Sequence, residues 1–427
     1  MKFQRPKGTE DLYNQQVIIF SNIISELVTV AKNFNYQEII TPVIESADLF
    51  LRSIGSTTNI VEKEIYQFLD KGKRNLALRP EGTAGVIRAV VENKLYNNQK
   101  QILKYFYYGN MYRYENPQKG RNREFHQFGV EVLGTKDPLL DVEVIVLAAK
   151  MLEALNINDY QLAINFFGSE ATKTKFNHAL SKALMKVKSK LPLELQTKIK
   201  TNPLRILDAQ EFQTLNLAVP EIAQFYSPEE KAYFATITKM LTTLKINFNV
   251  NQTLVRGLDY YNGVIFEFVS NNDVLGKSQN TLIGGGRYDN LAQELGVPYA
   301  YPAIGFAFGI ERLMLLLANK PKFTETKKLD LFIISQFQTG LSLSLLLLND
   351  LRKIRYFVDG NFSLFNDKQK SNLIKSIQTT NNLLVLEKVN QATCYQLTKK
   401  TKVVIKFENQ EQLLTKIIDL LKISEVK

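Results

Sequence analysis

Tryptophan is absent from the 427 residues, cysteine occurs once, at Cys394, and histidine twice, at His126 and His178. A single thiol excludes an internal disulfide framework and any cysteine-rich zinc site, and two imidazoles are too few for a histidine-based metal centre, so no metal site on the protein alone is expected. No apolar run approaches the ~18 residues of a membrane span; Leu341–Leu348, interrupted by two serines, comes nearest. The N-terminus, MKFQRPKGTEDL, lacks the apolar core of a secretory leader. A reducing, cytoplasmic setting without membrane association is the expectation. Acids are the minority charge: 42 Asp and Glu against 54 Lys and Arg leave +12. Such a field favours polyanions, whether nucleic acid, nucleotides or an acidic lipid surface, and does not choose among them.

What is present is enough for a large core. Hydrophobic residues make up 45% and charged residues 22%, which excludes wholesale disorder, and the length suits two to three domains at about 150 residues each. Residues 1–167 and 250–322 share a glycine-punctuated, strand-rich texture. Residues 168–249 are helical in pattern, with 12 Lys/Arg against 7 Asp/Glu. One domain interrupted by a helical insertion is the reading. After the turn-like PKFTETKK at 321–328, residues 328–427 alternate short buried strands (329–335, 354–359, 382–388) with helical stretches (339–353, 366–378, 409–422), a small α/β domain. Gln16–Phe34 reads as a long helix whose apolar residues exceed one stripe, so burial on two sides is expected, one of them a subunit interface.

The most informative stretch is Ile102–Gly134. ILKYFYYGNMYRYE and EFHQFGVEVLG are β-rich, and NPQKGRN between them is turn chemistry, which predicts a long hairpin with a basic tip. Alternation puts Phe125, Gln127, Gly129 and Glu131 on one face, a floor for a small polar ligand. Arg113 can reach over it, with Arg121 and Arg123 at the loop. Further along, TLVRGLDYYNGVIFEFV (253–269) carries the lone Arg256 and the pair Tyr260–Tyr261. LIGGGRYDNL (282–291) has three glycines that permit bending or close approach to a ligand. AIGFAFGIERLMLLL (303–317) reads as a strand followed by a helix with Arg312 in its first turn, where a cation opposes the helix dipole and a bound anion would relieve the conflict. No dinucleotide-binding glycine fingerprint is present. Gly129-x-x-x-x-Gly134 is followed by Thr135–Lys136, the reverse of the P-loop order.

At these residues the chain resembles the class II aminoacyl-tRNA synthetases, specifically the histidyl-tRNA synthetase family. TPVIE, the hairpin FYYGNMYRYENPQKGRNREFHQFGVEVLG and PAIGFAFGIERL resemble the three class motifs. LVRGLDYYN and GGGRYDNL resemble the two histidine signature peptides, RPEGTAG (79–85) the amino-acid-binding loop, and 49–68 and RPKGTEDL fit as well. The resemblance is close over about residues 5–320 and loose beyond. It implies an α+β fold: a class II antiparallel sheet flanked by helices, a helical insertion and a C-terminal α/β anticodon-binding domain. It implies ATP-dependent activation of L-histidine to its adenylate with release of pyrophosphate, then transfer to tRNA(His), by a homodimer. Carried over by position, Glu81, Gly82, Thr83, Gln127, Glu131, Tyr260, Tyr261 and Tyr288 would hold histidine. Arg113 would meet the α-phosphate, Glu115 the adenine amino group, and Phe125 would stack on the base. Arg121 and Arg312 would grip the outer phosphates, with Mg²⁺ riding on them. Arg256 would be the activating arginine, bridging carboxylate and α-phosphate, and with Arg113 forms the catalytic pair.

For tRNA, Gln118, Lys119 and Arg123 at the hairpin tip are candidates, although Asn116 replaces a basic residue common there. Lys182, Lys186 and Lys190 recur every four residues and are expected on one helix face, as a clamp for the acceptor-stem backbone. The C-terminal domain departs from the family: the usual glycine is missing from RKIRYFVD, and Gly-x-Glu after the third strand has become LEK at 386–388. The alternative is a catalytically silent relative, the histidine-binding regulatory subunit of ATP phosphoribosyltransferase, which lacks the activating-arginine peptide and the C-terminal domain.

Overall fold

The computed structural model describes every residue except 1–2, 55–62, 99–100, 208, 216, 259, 277–279, 326 and 426–427. The middle of the 49–68 stretch and Asp259 of the signature peptide therefore lie outside the described residues. The chain forms two compact units, Met1–Thr324 and Glu325–Lys427.

The first unit is built on an eight-stranded sheet. Its order is Gln37–Glu38, Leu103–Tyr112, Glu124–Leu133, Ala303–Gly309, Thr281–Arg287, Asn262–Ser270, Tyr160–Phe166 and Asn249–Val250. The short strands at both edges pair parallel and all six others antiparallel. The expected hairpin is the centre of it, pairing Tyr107 with Gly129 and Tyr105 with Glu131. Phe106, Phe128, Val130, Val132 and Phe308 lie on one face in the main core, together with Ile23 and Leu27 of the helix Gln15–Asn33 and Val144 and Leu147 of Pro138–Ala154. The register leaves Tyr107, Gln127, Gly129, Glu131, Gly305 and Ala307 on the opposite face. The period of 2 thus separates core from site across the central strands.

The Gln15–Asn33 helix corrects one expectation. Ile19, Ile23, Ile24, Leu27 and Ala31 are buried, but Ser21, Ser25, Thr29 and Lys32 are exposed, so beyond Val17 its outer side is polar. Besides Val17, the exposed apolar residues here are Ile40, Val43 and Ile44, in the segment after the helix. The start of the 321–328 stretch is also not a surface turn: Pro321–Thr324 is a helical turn whose Phe323 is fully buried and whose carbonyl accepts from Asn22 Nδ2 at 3.1 Å.

Within the 168–249 stretch, the segment from Ser169 to Ser227 begins and ends at one carboxylate. Glu230 accepts from the Ser169 N–H (2.6 Å) and from Thr172 Oγ1, at the start of the helix Glu170–Lys186. It also accepts from the Ser227 N–H (2.8 Å), closing a capping box on the helix Pro228–Thr243. Burial opposes the ionisation of Glu230, but these donors outweigh it and hold its pKa below the usual carboxylate range. Tyr233 on the Pro228–Thr243 helix donates to Asp141 at 2.9 Å.

The second unit is a five-stranded sheet in the order Val358–Leu364, Leu331–Ser335, Asn382–Lys388, Gln391–Gln396 and Thr401–Lys406. The first three strands are parallel; the last two add an antiparallel hairpin that the sequence reading did not contain. The second strand starts at Val358 rather than at 354, because the chain must first turn out of the helix Gln338–Lys353. Arg355 makes that turn at φ 68°, the left-handed conformation that the missing glycine would adopt without strain. Burial pushes the Cys394 thiol up to about 11, as expected of an inert core cysteine.

Candidate active site

RPEGTAG leads directly into the helix Thr83–Glu92. Glu81 turns back on that helix, accepting from the Thr83 N–H (2.7 Å) and the Ala84 N–H (2.8 Å). Two otherwise orphaned helix donors are satisfied by one carboxylate placed at the positive end of the dipole. Burial nonetheless raises the Glu81 pKa against those hydrogen bonds. Thr83 Oγ1 donates to Glu131 at 2.7 Å, and the Tyr288 hydroxyl bonds the other Glu131 oxygen. Glu131 is buried, and desolvation, helped by the nearby Glu81 charge, pushes its pKa up to about 8. Burial thus biases this carboxyl toward its protonated form near neutral pH, against the Thr83 and Tyr288 hydrogen bonds that favour the charged one, and a cation beside it would restore the charge.

Tyr260, Tyr261 and Tyr288 form a wall, with ring centroids 4.7 Å (260–261) and 5.4 Å (260–288) apart. Gln127 lines the same pocket. Its Oε1 is buried without a hydrogen-bond partner among the described residues, which marks it as awaiting a ligand.

Two glycine readings need revision. The gap over Gly129 is not open floor: a Cβ there would lie 2.4 Å from the ring of Tyr107, and one on Gly82 would lie 2.1 Å from it. Tyr107, from the neighbouring strand, fills the gap and lines the pocket. Of the three glycines at 284–286, Gly284 admits the protein's own arginine, since a Cβ there would sit 1.7 Å from Arg256 Nη2. Gly305 likewise gives Glu131 its room, at 1.8 Å from Oε2. Arg256 is held on the other side by Glu267, Nη1 to Oε1 3.0 Å. Tyr107 and Glu267 are the residues that sequence reasoning missed. Reading the hairpin register across to the next strand would have found Tyr107.

A second cluster lies beyond Arg256. Arg113 donates to the Pro80 carbonyl at 2.8 Å, and its guanidinium lies 5.3 Å from the Phe125 ring centroid. Glu115 is buried, pairs with Arg121, and has Arg113 3.8 Å away. Arg312 donates to the Thr281 carbonyl, and its pKa is lowered by burial and by the charges of Arg121 and Arg113. Three guanidiniums close enough to disfavour one another, at the end of the pocket where Glu115 is already paired, make a site for a polyanion.

The remaining candidates lie elsewhere. Arg123 is packed under the N-terminal loop, 3.9 Å over the Tyr114 ring and bonded to the Glu115 carbonyl at 3.1 Å. Gln118 and Lys119 line a separate groove with Arg5 and Lys7. The three insertion lysines do not share a helix face. The helix stops at Lys186, and Lys190 lies in a 3₁₀ turn, Lys188–Lys190. Pro192 holds Leu191 extended, so no helical backbone continues past Lys190. Only Lys182 and Lys186 remain on the helix, both exposed.

A family model described as histidyl-tRNA synthetase matches residues 8–313. A relative from Malacoplasma penetrans named "Histidine--tRNA ligase" is 42% identical over 376 residues, covering 87% of this chain and 88% of that protein. One of the same name from Ureaplasma urealyticum is 46% identical over 342 residues, covering 79% and 80%. The solved structure of the apo S. aureus histidyl-tRNA synthetase matches with a TM-score of 0.79 at 31% identity, over 97% of this chain and 100% of that one. These relatives favour the ligase over the silent regulatory alternative. Site, sheet and relatives agree: the chain belongs to the histidyl-tRNA synthetase family of class II aminoacyl-tRNA synthetases.

Proposed function

We propose that the pocket condenses L-histidine with ATP and then passes the histidyl group to the 3′ end of tRNA(His). The observation that carries the reading is the buried Glu131, hydrogen-bonded to Thr83 and Tyr288 beside a cleft lined by Glu81 and Gln127 at one end and by Arg113, Arg121 and Arg312 at the other. One end of the cleft asks for a hydrogen-bond donor or cation, the other for phosphates. Histidine's imidazole and ammonium meet Glu131, Glu81 and Gln127, and a polar site of this kind rejects apolar analogues by a large factor, since its buried groups would be left unpaired. Phe125 and Arg113 accept the adenine and α-phosphate, and Arg121 and Arg312 the outer phosphates. Arg121 leaves Glu115 for the nucleotide, freeing that carboxylate for the adenine amino group.

Adenylation is attack of the already ionised histidine carboxylate on the α-phosphorus, with pyrophosphate leaving, so no general base is required. The protein's contribution is alignment and charge stabilisation. Arg256, braced by Glu267 over Gly284, draws the two anions together. Among the described residues no group of three or more His, Cys, Asp or Glu side chains is placed to hold a metal. A Mg²⁺ ion would be held mainly by the nucleotide's own phosphates, beside Arg121 and Arg312, and would supply charge neutralisation there.

Homodimerisation is supported by the exposed Ile40, Val43 and Ile44 after the first helix, an apolar edge that a second copy would cover. Among the described residues no helix is long and apolar enough to cross a membrane, and the reaction belongs to the cytoplasm. Exchange of labelled pyrophosphate into ATP tests the reading. It should require histidine, and equal exchange with glutamine or asparagine would refute it.

A further inference from the structure

The peptide that carries the activating arginine is a loop, running from 251 to 261 between the edge strand Asn249–Val250 and the inner strand Asn262–Ser270. Several of its carbonyls are held by side chains. Asn165, from the sheet, donates to the Gln252 carbonyl (3.3 Å) and the Leu254 carbonyl (3.1 Å). The other two donors come from the insertion. Arg205 Nη1 donates to the Arg256 carbonyl at 3.0 Å, and Lys173 Nζ to the Tyr261 carbonyl at 3.2 Å. Lys173 also lies 5.9 Å from the Phe167 ring centroid, at the root of the insertion. Between these two contacts is a cavity of about 230 Å³, bounded by Asn177, Pro203, Leu204 and Val255 as well as by the two cations.

We infer that Arg205 and Lys173 are positioning residues for the adenylation step, through which the helical insertion fixes the Arg256 loop from behind. The cavity is the physical reason. Leu254, Val255 and the tyrosine pair pack this loop into the core, and Asn165 holds it from the sheet, but on the side facing the helical segment a cavity remains where packing would otherwise set its position. On that side two charge-assisted hydrogen bonds to carbonyls, one on Arg256 itself, hold the backbone. Arg256 must span a carboxylate and a phosphate in one geometry, and displacement of about 1 Å in such a group lowers the rate by up to roughly 10²-fold. The insertion, basic and exposed along Lys182 and Lys186, is thereby mechanically tied to the residue that closes the reaction, although neither Arg205 nor Lys173 touches the reacting atoms.

This inference rests on the adenylation reading, and the test separates the two. Arg205→Met, Lys173→Met and Arg205→Lys are compared with the parent in histidine-dependent pyrophosphate exchange, alongside Tm. Each Met variant should lose roughly 10- to 100-fold in kcat, with KM for histidine and ATP within about twofold and Tm nearly unchanged; Arg205→Lys, which restores a donor, should recover part of the rate. A kcat within about twofold of the parent in both Met variants overturns the inference. So does a loss of kcat that moves together with KM and Tm and is not relieved by lysine, or failure of both Met variants to fold, since either describes a purely structural contact. Absence of histidine-dependent exchange in the parent would instead refute the proposed reaction.

Discussion

Replacing Glu131 by Gln tests the electrostatic design of the pocket. In the free protein burial holds the Glu131 pKa at about 8 against an ordinary value of 4.5. Near neutral pH a substantial share of the molecules therefore carry a proton there, and that share falls as the pH rises through about 8. If bound histidine restores the charge, binding must expel that proton. Calorimetric titration with histidine, in buffers of different ionisation enthalpy, counts the protons released. Subtracting the Glu131→Gln count removes the protons that belong to histidine itself. The difference should be a substantial fraction of a proton at about pH 7.5 and smaller at about pH 8.5. The variant should bind histidine with a loss of about 1–3 kcal/mol, roughly 5- to 150-fold in Kd, because a buried partner is left with the wrong donor. The same shift fixes a sign for stability. The folded ligand-free protein keeps a proton that the unfolded chain releases near 4.5, so this contribution is complete below that pH and is lost as pH rises through 8. Equal proton release from parent and variant at pH 7.5, or release that does not decline by pH 8.5, would refute the reasoning.

Arg256→Ala should depress pyrophosphate exchange by roughly 10²–10³, and Lys should restore only part, since an ammonium cannot span two anions in a planar fork; parent-like exchange from the Ala variant would end its assignment. Arg287 is fully buried against Asp141 and Asp289, so Arg287→Met leaves the buried Asp141 without its cation and Asp289 with Lys136 alone, at 3.3 Å. It should cost about 3–5 kcal/mol in denaturant unfolding, and a change below 1 kcal/mol would show that the cluster is dispensable. Lys182→Glu with Lys186→Glu should raise the KM for tRNA and flatten its salt dependence while exchange without tRNA stays at the parent level; unchanged charging at low salt would remove this face from tRNA binding.

The hairpin was legible because alternation alone sorts Phe128 and Val130 from Gln127 and Glu131, and the paired strands obey it. What stood above that face was not. The occupant of the gap over Gly129 is Tyr107, and finding it needs the register of the neighbouring strand, which local spacing does not contain. Gly284 was readable as a site of close approach and Gly305 is a second one, but the approaching groups, Arg256 and Glu131, come from other segments. The lysine spacing misled for a local reason: a four-residue period implies a face only while the helix continues, and Pro192 announced its end. Arg355 shows the converse, a left-handed turn whose usual glycine is missing while the turn itself is kept. The first helix is less apolar on its outer side than its apolar count suggests, because a count has no direction, and Ser21, Ser25 and Thr29 occupy outward positions.

The double cap at Glu230 bears on how this chain can be taken apart. Because the backbone amides of Ser169 and Ser227 both meet one carboxylate, the segment 170–226 leaves and re-enters the body at nearly a single point. A bridge of a few flexible residues would span the gap if that segment were cut away, with little strain and little closure entropy. The Pro228–Thr243 helix would stay behind, because Tyr233 fastens it to Asp141 in the buried Arg287 cluster. The excisable module is therefore shorter than the helical stretch in sequence suggests, and its removal would take Lys173 and Arg205 with it while leaving Glu81, Glu131 and Tyr288 in place.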